Sequence, residues 1–337
     1  MGNTLPCMPK KGARGAARSA SKRNSRSGRN TTSEEEMLHR QALSMVLQQH
    51  QLSQRFDGSM SRRIGSTSSR GRIYLKTSPM EGRSVAEFIG NIEIKKFVLV
   101  HGEGFGAWCW YKSISLLEES GLQPIALDLT GSGIDHTDTN GVATMAEYAK
   151  PLLDYLQSLP EDEKVILVGH SCGGASISYA LEYYPKKISK AVFLSATMVS
   201  NGQRPFDVFS GELASAEVFM QESQLLSYGN GKDRSPTAFV FDKQYIKGLY
   251  FNNSPPKPIP LKPIMEKLSL TPEKYGAVKR YFVQTLDDHM LSPDIQEKLV
   301  RENPPHGVYK IKGSDHCPFF SKPQSLHKIL LEIAQLP

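Results

Sequence analysis

Cysteine and long apolar runs are both scarce in this chain of 337 residues. The cysteines share no short paired spacing, which excludes a zinc module and a dense disulfide framework; they are Cys7, Cys109, Cys172 and Cys317. This usage of cysteine is typical of a reducing compartment. No stretch approaches the roughly 18–20 apolar residues that a membrane-spanning helix needs, so a transmembrane protein is excluded.

Acidic residues are absent from the first 32 positions, and this absence explains the net charge of +7. Residues 1–80 hold 15 Lys and Arg against 4 acidic residues, which leaves +11 on this segment. The other 257 residues hold 26 basic and 30 acidic groups, a balance of −4. The basic charge therefore belongs to the N-terminal segment, and the remainder has no pattern of a nucleic-acid-binding module.

Residues 1–80 are rich in Ser, Arg and Gly, and such a composition cannot bury enough apolar surface to order a chain. We expect a largely disordered extension, interrupted by a short helix that begins at the capping box Ser33-Glu-Glu-Glu36. The acid-poor, Arg-rich start favours a plastid transit peptide. Gly2 and Cys7 leave membrane attachment through lipidation open, although Pro6 departs from the myristoylation pattern. A cytoplasmic protein with an unaddressed linker is the remaining alternative.

From about residue 90, short β-branched runs alternate with segments of helical length. The predicted strands are 97–100, 123–128, 164–168, 190–194, 279–283 and 308–311, and the predicted helices are 108–120, 145–158, one from about 173, 294–301 and 323–334. Alternating strands and helices indicate an α/β fold with a mostly parallel sheet covered on both faces. The alternation stops between about residues 199 and 275, so we expect one domain over 90–337 with an inserted helical cap.

The motif Gly169-His-Ser-Cys-Gly173 follows a predicted strand and opens a predicted helix. This is the context that a G-x-S-x-G nucleophile turn requires, because the turn brings the helix so close to the strands that flanking side chains would collide. The placement predicts that Ser171 is a nucleophile exposed above the sheet.

A serine nucleophile needs a histidine base, and that base needs an orienting carboxylate. The strand 279–283 is followed by Thr285-Leu-Asp-Asp-His289, and the strand 308–311 by Gly313-Ser-Asp-His-Cys317. The order of Ser171, then Asp287 or Asp288, then His316 is the one expected for a hydrolase with this turn. The residues alone leave both aspartates open.

The anionic intermediate of ester hydrolysis needs two N–H donors. We expect one from the backbone of Cys172, directly after the nucleophile, and one from the backbone of Glu103 in the turn after the first strand. Since only its N–H is required, we expect the side chain of Glu103 to point outward. The glycines around Glu103 do not match a nucleotide-binding loop.

From Phe97 to about Ala334 the chain resembles the plant methylesterase family of α/β hydrolases, relatives of the salicylic-acid-binding esterase. The motifs that carry this resemblance are Phe97-Val-Leu-Val-His-Gly102, Trp108-x-Trp-Tyr111, Ala126-Leu-Asp-Leu129 with Gly131-Ser-Gly133, Glu163-Lys-Val-Ile-Leu-Val-Gly-His-Ser171, Tyr184-Pro-Lys-Lys-Ile188 and Gly313-Ser-Asp-His316.

The resemblance implies the triad Ser171, Asp287 and His316, with Asp287 preferred because it lies two residues after Thr285, as the family's acid does. It implies methyl esters of jasmonate, indole-3-acetate or salicylate as substrates, with no cofactor or metal ion. It also implies plastid direction for members with a long basic extension. A homodimer is the assembly considered.

Two other functions compete with the esterase. Hydroxynitrile lyases resemble this chain but use Lys directly after the catalytic His and Thr at the oxyanion turn, where this chain has Cys317 and Glu103. A ligand-binding receptor with little turnover is the other alternative, because the same fold hosts unrelated functions.

Overall fold

The computed structural model describes residues 92–210, 224–241 and 257–337. The predicted extension and the helix expected from Ser33 lie outside these residues and stay predictions. The described part contains a six-stranded sheet in the order β2-β1-β3-β4-β8-β9, and all neighbouring pairs are parallel. Its strands are β1 Lys96–Val100, β2 Gln123–Leu127, β3 Val165–His170, β4 Ile188–Leu194, β8 Lys279–Thr285 and β9 Gly307–Ile311. The predicted α/β fold with a parallel sheet is confirmed.

The central strands are apolar at nearly every position because both faces of the sheet are covered. Successive side chains of a strand point to opposite faces. Along β1, for example, Val98 and Val100 belong to one buried cluster, whereas Phe97 and Leu99 belong to the other. The sheet is therefore the middle layer between two hydrophobic cores.

Helices supply the outer layers. They are α1 Tyr111–Glu119, α2 Met145–Tyr148, α3 Lys150–Ser158, α4 Gly173–Tyr183, α5 Asp207–Ser210, α6 Leu261–Met265, α7 Pro293–Glu302, α8 Pro318–Ser321 and α9 Pro323–Gln335, with 3-10 turns at Ala107–Trp110, Thr139–Gly141 and Pro185–Lys187. The predicted helix 145–158 is divided into α2 and α3. Pro151 has no N–H to give to the carbonyl of Glu147, and that carbonyl accepts a hydrogen bond from the Thr130 hydroxyl at 2.6 Å instead. No helix in the described ranges is long and apolar enough to cross a membrane.

The segment between β4 and β8 differs from the helical cap that we expected. Besides α5 and α6, its described residues form a three-stranded antiparallel sheet of β5 Gln224–Ser227, β6 Ala238–Phe241 and β7 Ile259–Pro260. Phe239 in β6 and Ile259 in β7 pack with Leu261 and Ile264 in a small separate cluster. Aromatic and β-branched residues such as Phe239 and Ile259 favour strands, so this part of the insertion is a sheet and the expected all-helical cap is corrected.

A partly buried polar network joins the end of this insertion to the main sheet. The side chain of Asn303, just after α7, accepts a hydrogen bond from Arg280 in β8 and donates to the carbonyl of Val199 and the hydroxyl of Tyr275. The Arg280 guanidinium lies 4.5 Å from the centroid of the Tyr275 ring. Asn303 therefore connects both ends of the insertion to β8.

Replacing Asn303 with Ala is expected to lower the free energy of unfolding by about 1–3 kcal/mol, because Arg280 and Val199 O each lose a partner in a buried place. Lys310→Ala is the control, since its exposed ion pair with Glu297 should contribute less than about 1 kcal/mol. Urea denaturation of both variants gives the comparison. Equal losses of stability would contradict the structural role of Asn303.

Candidate active site

Ser171 occupies a sharp turn between β3 and α4. Its φ of 50° lies in the left-handed region, a conformation that is strained for a residue with a side chain. The flanking glycines are required by close approach. A Cβ at Gly169 would lie 2.9 Å from the carbonyl oxygen of Gly173, and a Cβ at Gly173 would lie 2.5 Å from that of His101. The structure thus has the turn geometry that the G-x-S-x-G pattern predicted. The expected exposure of Ser171 is corrected, because the residue is fully buried and its hydroxyl contacts the side chains of Glu103 and His316.

Hydrogen bonds hold the turn in this conformation. The carbonyl of Ser171 accepts from the N–H groups of Gly174 and Thr197, each at 3.0 Å, and from the Thr197 hydroxyl at 3.2 Å. The N–H of Ser171 donates to the carbonyl of Leu194 at the end of β4. Sequence patterns did not reveal the contribution of Thr197, because it depends on the path of the chain after β4.

His316 is brought to Ser171 by the loop after β9. Its Nε2 lies 2.8 Å from Ser171 Oγ, and its Nδ1 lies 2.7 Å from Asp288 Oδ2. His170, next to Ser171, donates from Nε2 to the carbonyl of His316 at 2.8 Å. His170 thus positions the backbone of His316, a role that the sequence did not reveal.

The structure pairs His316 with Asp288, so the expected pairing with Asp287 is corrected. Asp288 is 3% exposed, and its Oδ1 accepts the N–H groups of Met290 and Leu291, each at 2.8 Å. Asp287 is exposed, and its backbone N–H donates to Ser314 O. The aspartate whose side chain binds the backbone two residues ahead turns inward, and counting from Thr285 could not detect this.

Two further side chains hold the Asp288 carboxylate. Its Oδ2 accepts a hydrogen bond from the Thr285 hydroxyl at 2.8 Å and one from Gln296 Nε2 at 3.2 Å. The same Gln296 amide binds the backbone of Thr285 through both its oxygen and its nitrogen. These contacts fix the carboxylate toward His316, and sequence reasoning had identified neither Thr285 nor Gln296 as part of the site.

The buried pair of Asp288 and His316 shifts both pKa values toward the charged forms. Burial alone would lower the pKa of His316, but the Asp288 carboxylate and more distant acidic groups raise it above its usual value. For Asp288, burial opposes ionisation, yet His316 and the donors around the carboxyl lower its pKa. Burial keeps the pKa of His170 well below its usual value, so this imidazole stays neutral.

Cys172 supplies a backbone N–H at the position expected for an oxyanion donor. Its thiol is buried and free, and burial raises its pKa well above the usual value. The thiol therefore stays protonated beside the serine and does not act as a nucleophile. Cys109 and Cys317 behave in the same way.

The Glu103 side chain points into the site, contrary to the outward orientation that we expected. Its Oε1 accepts a hydrogen bond from the Ser171 hydroxyl, and its Oε2 accepts one from the Cys172 N–H, each at 3.0 Å. The side chain is buried, since the residue is only 3% exposed. The role of the Glu103 N–H as a second oxyanion donor stays a prediction.

Comparisons with known proteins agree with this architecture. The model of the alpha/beta hydrolase family matches residues 97–328. "Putative methylesterase 14, chloroplastic" of Arabidopsis thaliana is 65% identical over 349 residues, covering 100% of both chains. "Putative methylesterase 12, chloroplastic" of the same plant is 63% identical with the same coverage. These full-length relatives confirm the expected chloroplast location.

Solved structures of other proteins are similar to this chain as well. The methylesterase protein MES16 from Arabidopsis is 34% identical with a TM-score of 0.62, covering 71% of this chain and 98% of that one. Polyneuridine aldehyde esterase is 34% identical with a TM-score of 0.65, covering 72% and 100%. From these matches and the geometry at Ser171, the chain belongs to the α/β-hydrolase family and, within it, to the methylesterases.

Proposed function

We propose that this protein hydrolyses carboxyl methyl esters of small plant-hormone-like acids, with methyl jasmonate, methyl indole-3-acetate and methyl salicylate as the substrates to test. The observation that carries the proposal is the continuous chain of contacts from Asp288 through His316 to Ser171. This is the arrangement that activates a serine for acyl transfer. The methylesterase relatives supply the ester class.

The proposed reaction proceeds through an acyl-enzyme. Ser171 Oγ attacks the ester carbonyl while His316 Nε2 takes the hydroxyl proton, and the tetrahedral intermediate then collapses as His316 returns that proton to the departing methoxide. Methanol leaves. His316 next takes a proton from water, whose oxygen attacks the acyl group, and returns it to Ser171 as the acid is released. Asp288 holds the proton on His316 Nδ1 and stabilises the imidazolium.

A ligand-binding protein with low turnover is the second candidate function. The specific observation in its favour is the Glu103 carboxyl, which binds both the Ser171 hydroxyl and the Cys172 N–H. A methyl-ester panel separates the two functions: methanol release supports the esterase. Thermal stabilisation by the free acids without methanol release would support the binding protein.

Ser171→Ala is expected to lower kcat for methyl esters by at least about 10³-fold, because the nucleophile is lost. Ser178→Ala is a matched control. Ser178 lies in α4, is also buried and donates to the carbonyl of Gly174, so its loss should leave methanol release close to the wild-type rate. An active Ser171→Ala enzyme would contradict the mechanism.

The two neighbouring aspartates provide a paired test of the corrected triad. Asp288→Asn is expected to lower kcat by about 10⁴-fold, because an amide no longer holds the proton on His316 Nδ1. Asp287→Asn makes the same replacement of one carboxylate oxygen by an amide nitrogen in an exposed side chain and should have little effect. Steady-state kinetics of the two variants decide the assignment, and the reverse order of effects would restore Asp287.

The pH dependence of kcat/KM should report the raised pKa of His316. The base must be neutral to take the serine proton, so activity is lost as pH falls through this pKa and is complete above it. The groups around the ring are the carboxyls of Asp288, Glu103 and Asp315, which raise its pKa, and neutral His170. We expect the midpoint of the acid limb above the usual value of about 6.5. A midpoint clearly below that value would show that another group limits the rate.

A further inference from the structure

The Glu103 carboxyl occupies the place where ester hydrolysis builds up negative charge. An oxyanion is stabilised when donors lie about 2.7–3.1 Å from its oxygen. Glu103 Oε2 lies 3.0 Å from the Cys172 nitrogen, so this carboxyl oxygen already receives the hydrogen bond that the intermediate requires. A side chain of the protein thus occupies one of the two N–H donors that the substrate oxygen is expected to use.

The substrate oxygen and the carboxylate cannot both use this donor. Two negatively charged oxygens about 3 Å apart repel each other strongly in a buried place, where water screens little of the charge. Glu103 is 3% exposed and Ser171 is fully buried. Substrate attack therefore requires Glu103 to leave the Cys172 N–H.

The Ser171 hydroxyl proton is also engaged by Glu103. This hydroxyl has one hydrogen, which it donates to Glu103 Oε1. The 2.8 Å contact with His316 Nε2 is then a hydrogen bond only if Nε2 carries its own proton. With Nδ1–H donated to Asp288, a second proton on Nε2 would make His316 an imidazolium, a state in which it cannot act as a base.

We propose that Glu103 is a rate- and specificity-determining residue that closes the oxyanion hole of the resting enzyme, so that only an ester able to displace its carboxylate is hydrolysed. This inference rests on the proposed esterase function. Only the molecules in which Glu103 is withdrawn can react. The apparent reactivity of Ser171 is therefore its intrinsic reactivity multiplied by the fraction of molecules in that state. Replacing Glu103 keeps the main-chain N–H at this position, so the expected second donor is retained.

The experiment compares Glu103→Ala and Glu103→Gln with the wild-type enzyme. The readouts are the rate at which a fluorophosphonate probe labels Ser171 and kcat/KM for the methyl-ester panel. Glu103→Ala empties the hole and should raise both rates by about tenfold or more, since one hole donor contributes about 10²–10³ in kcat. Glu103→Gln keeps the shape but not the charge, so it should give a smaller gain.

Glu103→Gln provides a second readout, the pH profile of activity, which would not change if Glu103 had only a structural role. Removing the Glu103 charge takes away one of the carboxyls that face His316, so the acid limb of the pH profile should shift to lower pH. The other charged neighbours, Asp288 and Asp315, are unchanged in this variant, and His170 stays neutral. If Glu103→Ala fails to fold, Glu103→Gln alone tests the proposal.

Glu182→Gln is the matched control. Glu182 is another buried glutamate, 6% exposed, but it lies near the end of α4 and binds the N–H and hydroxyl of Thr271. Its substitution should leave labelling and the pH profile unchanged.

The outcomes distinguish this inference from the proposed function. Faster labelling and a shifted acid limb in the Glu103 variants support both. Labelling of Ser171 at the same or a lower rate in correctly folded Glu103 variants would overturn the closed oxyanion hole and leave the nucleophile intact. Absence of labelling in every form, the wild type included, would overturn the esterase function and this inference with it.

Discussion

The strained backbone of Ser171 is the feature on which the rest of the site depends. A left-handed residue with a side chain costs about 1–3 kcal/mol and persists only where its surroundings hold it. Here the carbonyl of Ser171 receives hydrogen bonds from Gly174 and Thr197, and its N–H binds the end of β4. The parallel pairing of β3 with β4 therefore keeps Ser171 in place, so the sheet and the candidate site form one unit.

Parallel strands also explain why distant residues meet at Ser171. The carboxyl ends of β3, β8 and β9 lie at one edge of the sheet, and the loops that follow them carry Ser171, Asp288 and His316. Each loop is fixed by local bonds, such as those of Asp288 to the two N–H groups ahead of it. His170 links two of the loops by binding the carbonyl of His316. The position of the backbone in these loops therefore brings the side chains of the site into contact.

Sequence patterns predicted the features that follow from periodicity and close packing. The apolar runs predicted the sheet strands, and the glycines around Ser171 predicted its turn, because no other residue fits against His101 or α4. The choice of Asp287 over Asp288 as the partner of His316 was wrong. The two aspartates are adjacent in one turn, and only the direction of the side chain decides which of them reaches the imidazole. That direction is held by the N–H groups of Met290 and Leu291 and by Gln296 in α7, contacts that the motif alone does not reveal. The strands of the insertion were missed because short apolar stretches fit a helix or a strand equally well.

The orientation of Glu103 shows how the esterase and the binding protein differ physically. Both use the same fold, the same serine and the same N–H of Cys172. They differ in whether the carboxylate remains on that N–H when a ligand arrives, which is a question of relative free energy between two arrangements of one side chain. A ligand shifts such an equilibrium only by its differential affinity for the two arrangements. In the proposed mechanism, turnover is therefore governed by how strongly the ester carbonyl competes with Glu103, and the contacts among Ser171, His316 and Asp288 do not by themselves determine the rate.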